Sequence, residues 1–436
     1  MAFPFKSEGF WGPLFRRRDR ARTTVAHVET PRSPRPSKRQ LVLRLKAKAD
    51  RLFNRDRLIF DPLEPRVLLD GTAAYQINVP LDAQTAEHKV LVELIEMNQA
   101  ATRDADRVQQ VQVFDYTGGQ KGSRLHTFGD LDATNKAFTI TGTSDKDRIV
   151  VDVASFERLT GSTKPILTFS DVTTDSGDTI ELLNRAKSAD STGATFTLGG
   201  RDTGTITAGK FEGNFSGIGN LVGAAGADDT LIAGSSTGIL SGAFGGGKRS
   251  LQIDFSSLTS AIDATLKRAV DPDTYLLQRS SQADSAAATF APIAFTAPST
   301  NLGVLLGTGD DTLRLETLPP GPSFTVSGGA GADAIVFDTA LAVATGDVAL
   351  TFDGGEGDDR IDLNKDLEAV AGRLAVTFLG GAGSNGLNIG AGAQIKASDS
   401  VVLTAEATVA PTLPASGSDR TVVSAARMGV VVNQAR

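Results

Sequence analysis

GGAGADAIV (328–336), GGEGDDRID (354–362) and GGAGSNGLN (380–388) repeat one glycine-rich turn at intervals of 26 residues, since 380 − 354 = 354 − 328 = 26. A fixed period in this range marks a chain whose units cannot bury their apolar faces alone and must stack on their neighbours. The period extends beyond the glycines. Phe324, Leu350 and Val376 coincide, as do Val326, Phe352 and Phe378, then Ile335, Ile361 and Leu387, then Phe337, Leu363 and Ile389. Four apolar columns in register predict strands stacked coil on coil around a ladder of Val, Leu, Ile and Phe. The fold expected is mainly β, a right-handed parallel β-helix or solenoid with Gly-Asp turns. One coil buries too little apolar surface to offset its own ordering entropy, so the coils must fold together.

At 436 residues the chain is long enough for two to four ordinary domains or for one solenoid. Its 46 glycines imply many turns, and 22 Phe against 3 Tyr and 1 Trp imply an aliphatic and Phe core. Charge is split unevenly. Residues 1–70 hold 17 Lys or Arg and 8 Asp or Glu, a net of +9, and the remaining 27 against 43 give −16. An acidic body suits cation binding and solubility; a basic head suits anionic membrane, nucleic acid or a secretion apparatus. No cysteine is present, which excludes disulfides and thiolate metal sites. His27, His88 and His126 lack the spacing of a zinc site. No window reaches the apolar length of a transmembrane helix, and the N-terminus has no apolar stretch of the secretory type.

The organisation expected is as follows. Residues 1–48, with Pro31, Pro34 and Pro36 in a basic polar run, read as a disordered tail. Residues 41–60 carry Leu45, Leu52 and Ile59 among basic side chains, a short amphipathic helix. Residues 73–136 read as a helix and linker segment. AQTAEHKVLVELIEMNQA (83–100) carries Val90, Leu91, Leu94, Ile95 and Met97 at helical spacing, and VQVFDY (111–116) is a short strand. Residues 137–270 form an irregular β-repeat region, in which Ile262, Leu266 and Ala269 fit a helix while Leu251, Ile253 and Phe255 alternate as a strand. Residues 271–300 read as a surface insertion, and residues 301–436 as a β-solenoid with 22- to 26-residue coils whose apolar register persists at Val402. Because solenoids need capped ends, the chain is expected to be the N-terminal part of a larger surface protein or to pack against something else.

Two resemblances bear on function. LEPRVLLDG (63–71) resembles the LEPR-XLL motif of very large, repeat-rich bacterial proteins: Leu63, Glu64, Pro65, Arg66, Leu68 and Leu69 match, with Val67 in the open position, and residues 49–72 form that motif region. The glycine turns resemble the RTX (hemolysin-type) nonapeptide G-G-x-G-x-D-x-U-x, a calcium-binding β-helix repeat. The segments 328–336 and 354–362 fit every defined position, with Asp333 and Asp359 as carboxylates. LGTGDDTLR (306–314) keeps Gly307, Gly309 and Asp311 but opens on Leu306; GAAGADDTL (223–231) and GTSDKDRIV (142–150) are degenerate; and the third turn has Asn385 in the aspartate place.

These resemblances imply a secreted or cell-surface protein, adhesin-like or surface-structural, with a cell-surface or extracellular ligand and export by secretion machinery. They also imply calcium held by Gly328, Gly329, Gly331, Asp333, Gly354, Gly355, Gly357, Asp359, Gly309 and Asp311. Calcium takes about six to eight oxygens, so one nonapeptide supplies half a cage. In this chain no nonapeptide directly follows another, and the partner turn lies one coil along, pairing Asp333 with Asp359. The alternative is that each GGxGxD is a solenoid corner in which Asp caps backbone amides and no ion is needed. Nothing in the sequence assembles a catalytic constellation: Asp and Glu are scattered on turns, there is no phosphate-binding loop and no His-centred group, and the repeats hold almost no Trp or Tyr. The chain is expected not to be an enzyme. No specific nucleic-acid partner is expected, and the basic N-terminus is expected to touch anionic membrane.

Overall fold

The apolar columns are the inner face of stacked strands. A computed structural model describes residues 74–97, 108–132, 136–160, 164–171, 177–185, 193–233, 238–246, 249–281, 290–319, 321, 323–343 and 346–406. All of these fall in one unit, residues 69–436. The expected disordered tail, the 41–60 helix and the 63–71 motif lie outside the described residues.

The described residues form a 13-stranded sheet, a 14-stranded sheet and a 3-stranded sheet, with pairing that is predominantly parallel. In the 13-stranded sheet Phe324, Leu350 and Val376 are lateral neighbours, as are Val326, Phe352 and Phe378. In the 14-stranded sheet Ile335, Ile361 and Leu387 align, as do Phe337, Leu363 and Ile389. The columns continue toward the N-terminus through Leu302 and Val304 to Leu251 and Ile253. Both sheets turn their alternate side chains into one continuous apolar core. Each late coil has a third strand, Leu341–Val343, Leu367–Ala369 and Ile395–Ala397 in turn. The last step is 27 residues, Arg373 pairing with Ser400, because 400 − 373 = 27. That one-residue slip moves the inward positions from the expected Val402 to Val401 and Leu403, since neighbouring residues of a strand face opposite ways.

Two expectations are corrected. Residues 83–100 do not form a helix; His88–Glu96 is a strand, paired parallel to Asp147–Asp152 and antiparallel to Gln109–Asp115. Its apolar run is buried on both faces: Val90, Val92 and Leu94 enter the main core, while Leu91 joins Phe114 and Val150 in a smaller cluster. A strand buried on both sides loses the alternation that distinguishes it from a helix. Likewise 271–300 is not a surface excursion. Thr274–Arg279 and Ile293–Thr296 are antiparallel strands within the 14-stranded sheet, burying Tyr275, Leu277, Ile293 and Phe295. The segment from Ile262 to Ala269, left open between helix and strand, is the strand Asp263–Arg268 and its flanks. Among the described residues the helical segments are the short turns Val153–Phe156 and Thr117–Gly119, and no helix is long and apolar enough to cross a membrane.

The stack predicts steep penalties for core truncation. Phe352 is fully buried and lies on Phe378 with ring centroids 5.3 Å apart and planes 2° from parallel. Phe352→Ala is expected to cost about 3–5 kcal/mol in urea unfolding; a change below about 1 kcal/mol would contradict the stacked core.

Candidate functional site

Each Gly-Asp corner joins a strand of the 13-stranded sheet to one of the 14-stranded sheet. Ser323–Ala330 runs into the corner closed by Asp333, and Ala334–Phe337 leaves it. The corner glycines are required by contact with the next coil. Gly329 and Gly355 are paired across adjacent coils, and Gly355 has a φ of 97°, so a Cβ there would collide with the Gly329 carbonyl. Gly309, Gly331 and Gly357 form a second such column: a Cβ on Gly331 or Gly357 would meet the carbonyl of the glycine before it. Gly328 and Gly354 serve otherwise. A Cβ on either would occupy the place of its own corner's carboxylate, Asp333 or Asp359.

The aspartates are stacked as a ladder. The Ile262 N–H donates to Asp311 Oδ1 (2.6 Å), the Asp311 N–H to Asp333 Oδ1 (2.8 Å), the Asp333 N–H to Asp359 Oδ1 (2.9 Å) and the Asp359 N–H to Asn385 Oδ1 (2.8 Å). The rungs also bond through the backbone, with Ala334, Arg360 and Gly386 donating to the carbonyls of Asp311, Asp333 and Asp359, each at 2.8 Å. The three aspartates are at most 1 % exposed and Asn385 is 6 % exposed. The second oxygens differ. Asp311 Oδ2 accepts from the Gly307 N–H at 2.6 Å, whereas Asp333 Oδ2 and Asp359 Oδ2 are buried with no hydrogen-bond partner. An outer row runs beside the ladder: Asp310 Oδ1 accepts from Ala332 and Asp358 Oδ1 from Ser384.

All ten residues expected at the calcium turns therefore meet along one edge, and Asp333 and Asp359 are neighbours through the 26-residue step. Their carboxylates face inward. The degenerate turn at 223–231 builds the same device, Asp229 Oδ1 accepting from Ala194, and the one at 142–150 takes part as donor, its Asp147 N–H bonding to Oδ1 of Asp178. Asp178 was not legible as a site because no glycine motif precedes it. A simpler signal marks the rungs, an Asp or Asn two residues before Ile or Leu: Asp178, Asp229, Asp311, Asp333, Asp359 and Asn385 all satisfy it, as does Asp147, whose N–H donates to Asp178.

Burial governs the charge of the ladder. It pushes Asp333 up to about 7 from the ordinary 3.8, against the bond from the Asp311 N–H, and the charges of Asp311, Asp359 and Asp310 raise it further. Burial likewise pushes Asp311 up to about 6, against the N–H groups of Ile262 and Gly307. Asp359 is raised for the same first reason. Oδ1 accepts the neighbouring amide in either protonation state, so the ladder survives neutralisation. Asn385 is the neutral version of a rung.

A group whose folded-state value is raised binds more protons folded than unfolded, so stability is fully present below about 4 and is lost as pH rises through about 7. Wild type minus Asp333→Asn should show that loss between pH 4 and 7 in urea unfolding, because Asn cannot titrate. At pH 5, Asp333→Ala should be about 1–3 kcal/mol less stable than Asp333→Asn, since it leaves the Asp311 N–H without its acceptor. Equal stability of the two variants would contradict the ladder. Compared with known proteins, the chain matches no family model, no curated protein and no solved structure.

Proposed function

We propose that the chain is a non-enzymatic structural β-solenoid whose stack is held by its own aspartates, and that it serves as a rigid element of a secreted or cell-surface repeat protein. The observation that carries this reading is the commitment of the corner carboxylates: Asp311, Asp333 and Asp359 each accept at Oδ1 a hydrogen bond from a backbone N–H of the coil before. β-Helix enzymes need carboxylates or a base facing a substrate in a cleft. These carboxylates face the interior, which supports a scaffold role. Placement at the surface, with an extracellular ligand, rests on the resemblance of residues 63–71 to the LEPR-XLL motif and of the corners to RTX turns. On the same footing, the basic residues 1–70 suit anionic membrane or secretion machinery.

One observation favours a second reading, calcium-assisted folding. Asp333 Oδ2 and Asp359 Oδ2 are buried on adjacent coils without a hydrogen bond, and a cation or a proton would satisfy them. Thermal melts of wild type and of the Asp333→Asn, Asp359→Asn double variant, each in millimolar calcium and in chelator, separate the readings. The scaffold reading expects the double variant to melt no lower than wild type and to keep any calcium-induced shift unchanged. Loss of that shift in the double variant would replace it with calcium-assisted folding at these corners.

A further inference from the structure

The Gly142 corner differs from the later ones in the number of carboxylates it gathers. Asp147 closes the corner, and its N–H donates to Oδ1 of Asp178, the equivalent residue one coil on, at 2.9 Å. The third is Asp171. Thr141 pairs with Ser170, so Asp171 follows its strand where Gly142 follows the neighbouring one. In two later coils glycine holds this place, Gly328 and Gly354.

Gly142 leaves the space that the three groups share. A Cβ on Gly142 would lie 2.6 Å from Asp147 Oδ2, 3.0 Å from Asp171 Oδ1 and 3.3 Å from Asp178 Oδ2. One carboxylate oxygen from each residue lies within 4.8 Å of the other two. Asp147 and Asp178 are 1 % and 0 % exposed. Asp147 Oδ2 accepts from the Thr143 N–H, but its Oδ1 is buried and has no hydrogen-bond partner among the described residues. A buried carboxylate with one oxygen unsatisfied, gathered with two further carboxylates, is unfavourable unless positive charge lies close, since like charges at this range repel strongly in a medium of low dielectric.

We infer that Asp147, Asp171 and Asp178 form a binding site for one divalent cation of the hard, oxygen-preferring class, with calcium the best fit. The donor set is all oxygen, with no sulfur or imidazole, which disfavours zinc and copper. Magnesium demands near-ideal octahedral geometry and gives up water reluctantly, whereas calcium accepts irregular carboxylate shells completed by water and carbonyls. The site is distinct from the Asp311, Asp333 and Asp359 ladder, where each corner brings one buried carboxylate rather than three groups to a point. It stands whether or not the solenoid is a surface scaffold.

Equilibrium dialysis of the full chain with radioactive calcium, alone and against magnesium, tests the site. Wild type is expected to bind calcium with a dissociation constant on the order of 10⁻⁴–10⁻³ M, with magnesium a poor competitor. Asp171→Asn should weaken binding about tenfold or more, and Asp171→Gly, which restores the residue type of the later corners, should do the same while retaining the β circular dichroism spectrum. The Asp333→Asn, Asp359→Asn variant should bind as wild type does. Absence of binding by wild type up to about 10 mM calcium, above the range of extracellular calcium modules, would overturn the proposal. So would wild-type affinity in a folded Asp171 variant.

Discussion

The bond on which the rest depends runs from one coil's backbone N–H to the next coil's aspartate Oδ1. Strand pairing satisfies backbone groups along the two sheets, but at a corner the chain turns and the ladder of N–H and C=O groups breaks. Corner amides left buried without acceptors would each cost a sizeable fraction of the stability of a coil. The rungs at Asp311, Asp333, Asp359 and Asn385 remove that cost, because each inward-turned side chain accepts the amide of the preceding coil. The glycines follow from the rungs. Gly328 and Gly354 lack a Cβ because the carboxylate needs the room, and the columns containing Gly355 and Gly357 lack one because adjacent corners touch through their backbones.

The same arrangement stores charge. A buried carboxylate that accepts only one or two amides is held between protonation states, and Asp333 sits near neutrality for that reason. Asn385 shows that a neutral rung is compatible with the stack: it accepts the Asp359 N–H and donates to the Gly381 carbonyl. A chain of such rungs needs no ion for its hydrogen bonds. The Gly142 corner is the exception, since Asp171 adds a third carboxylate where Gly328 and Gly354 stand in the later corners.

Much of this was legible in the sequence where the period is strict. The 26-residue step fixed the partners of Phe324, Val326, Ile335 and Phe337 two coils along, and it paired Asp333 with Asp359. It could not say which way a carboxylate points, because an aspartate turned outward to an ion and one turned inward to an amide occupy the same place in the pattern. Where the period lapses, local cues misled. The run around Val90 to Ile95 has helical spacing but becomes a strand because both of its faces are covered. Tyr275 and Phe295 stand in a polar and Ala-rich stretch of the sequence, yet they lie within the sheet because an antiparallel pair of strands is inserted between coils. The group around Gly142 comes from two coils of unequal texture, and no single stretch of sequence displays it.

Amide hydrogen exchange, followed by NMR or mass spectrometry, tests the ladder most directly at Asp311, Asp333 and Asp359. If their N–H groups are held by the carboxylate of the next coil, they exchange only when the coils separate, as slowly as the amides of Val326 and Phe352 in the core strands. Exchange at the rate of an open turn such as Gly346 would show that the rungs are not formed and that the corners are held together by something else.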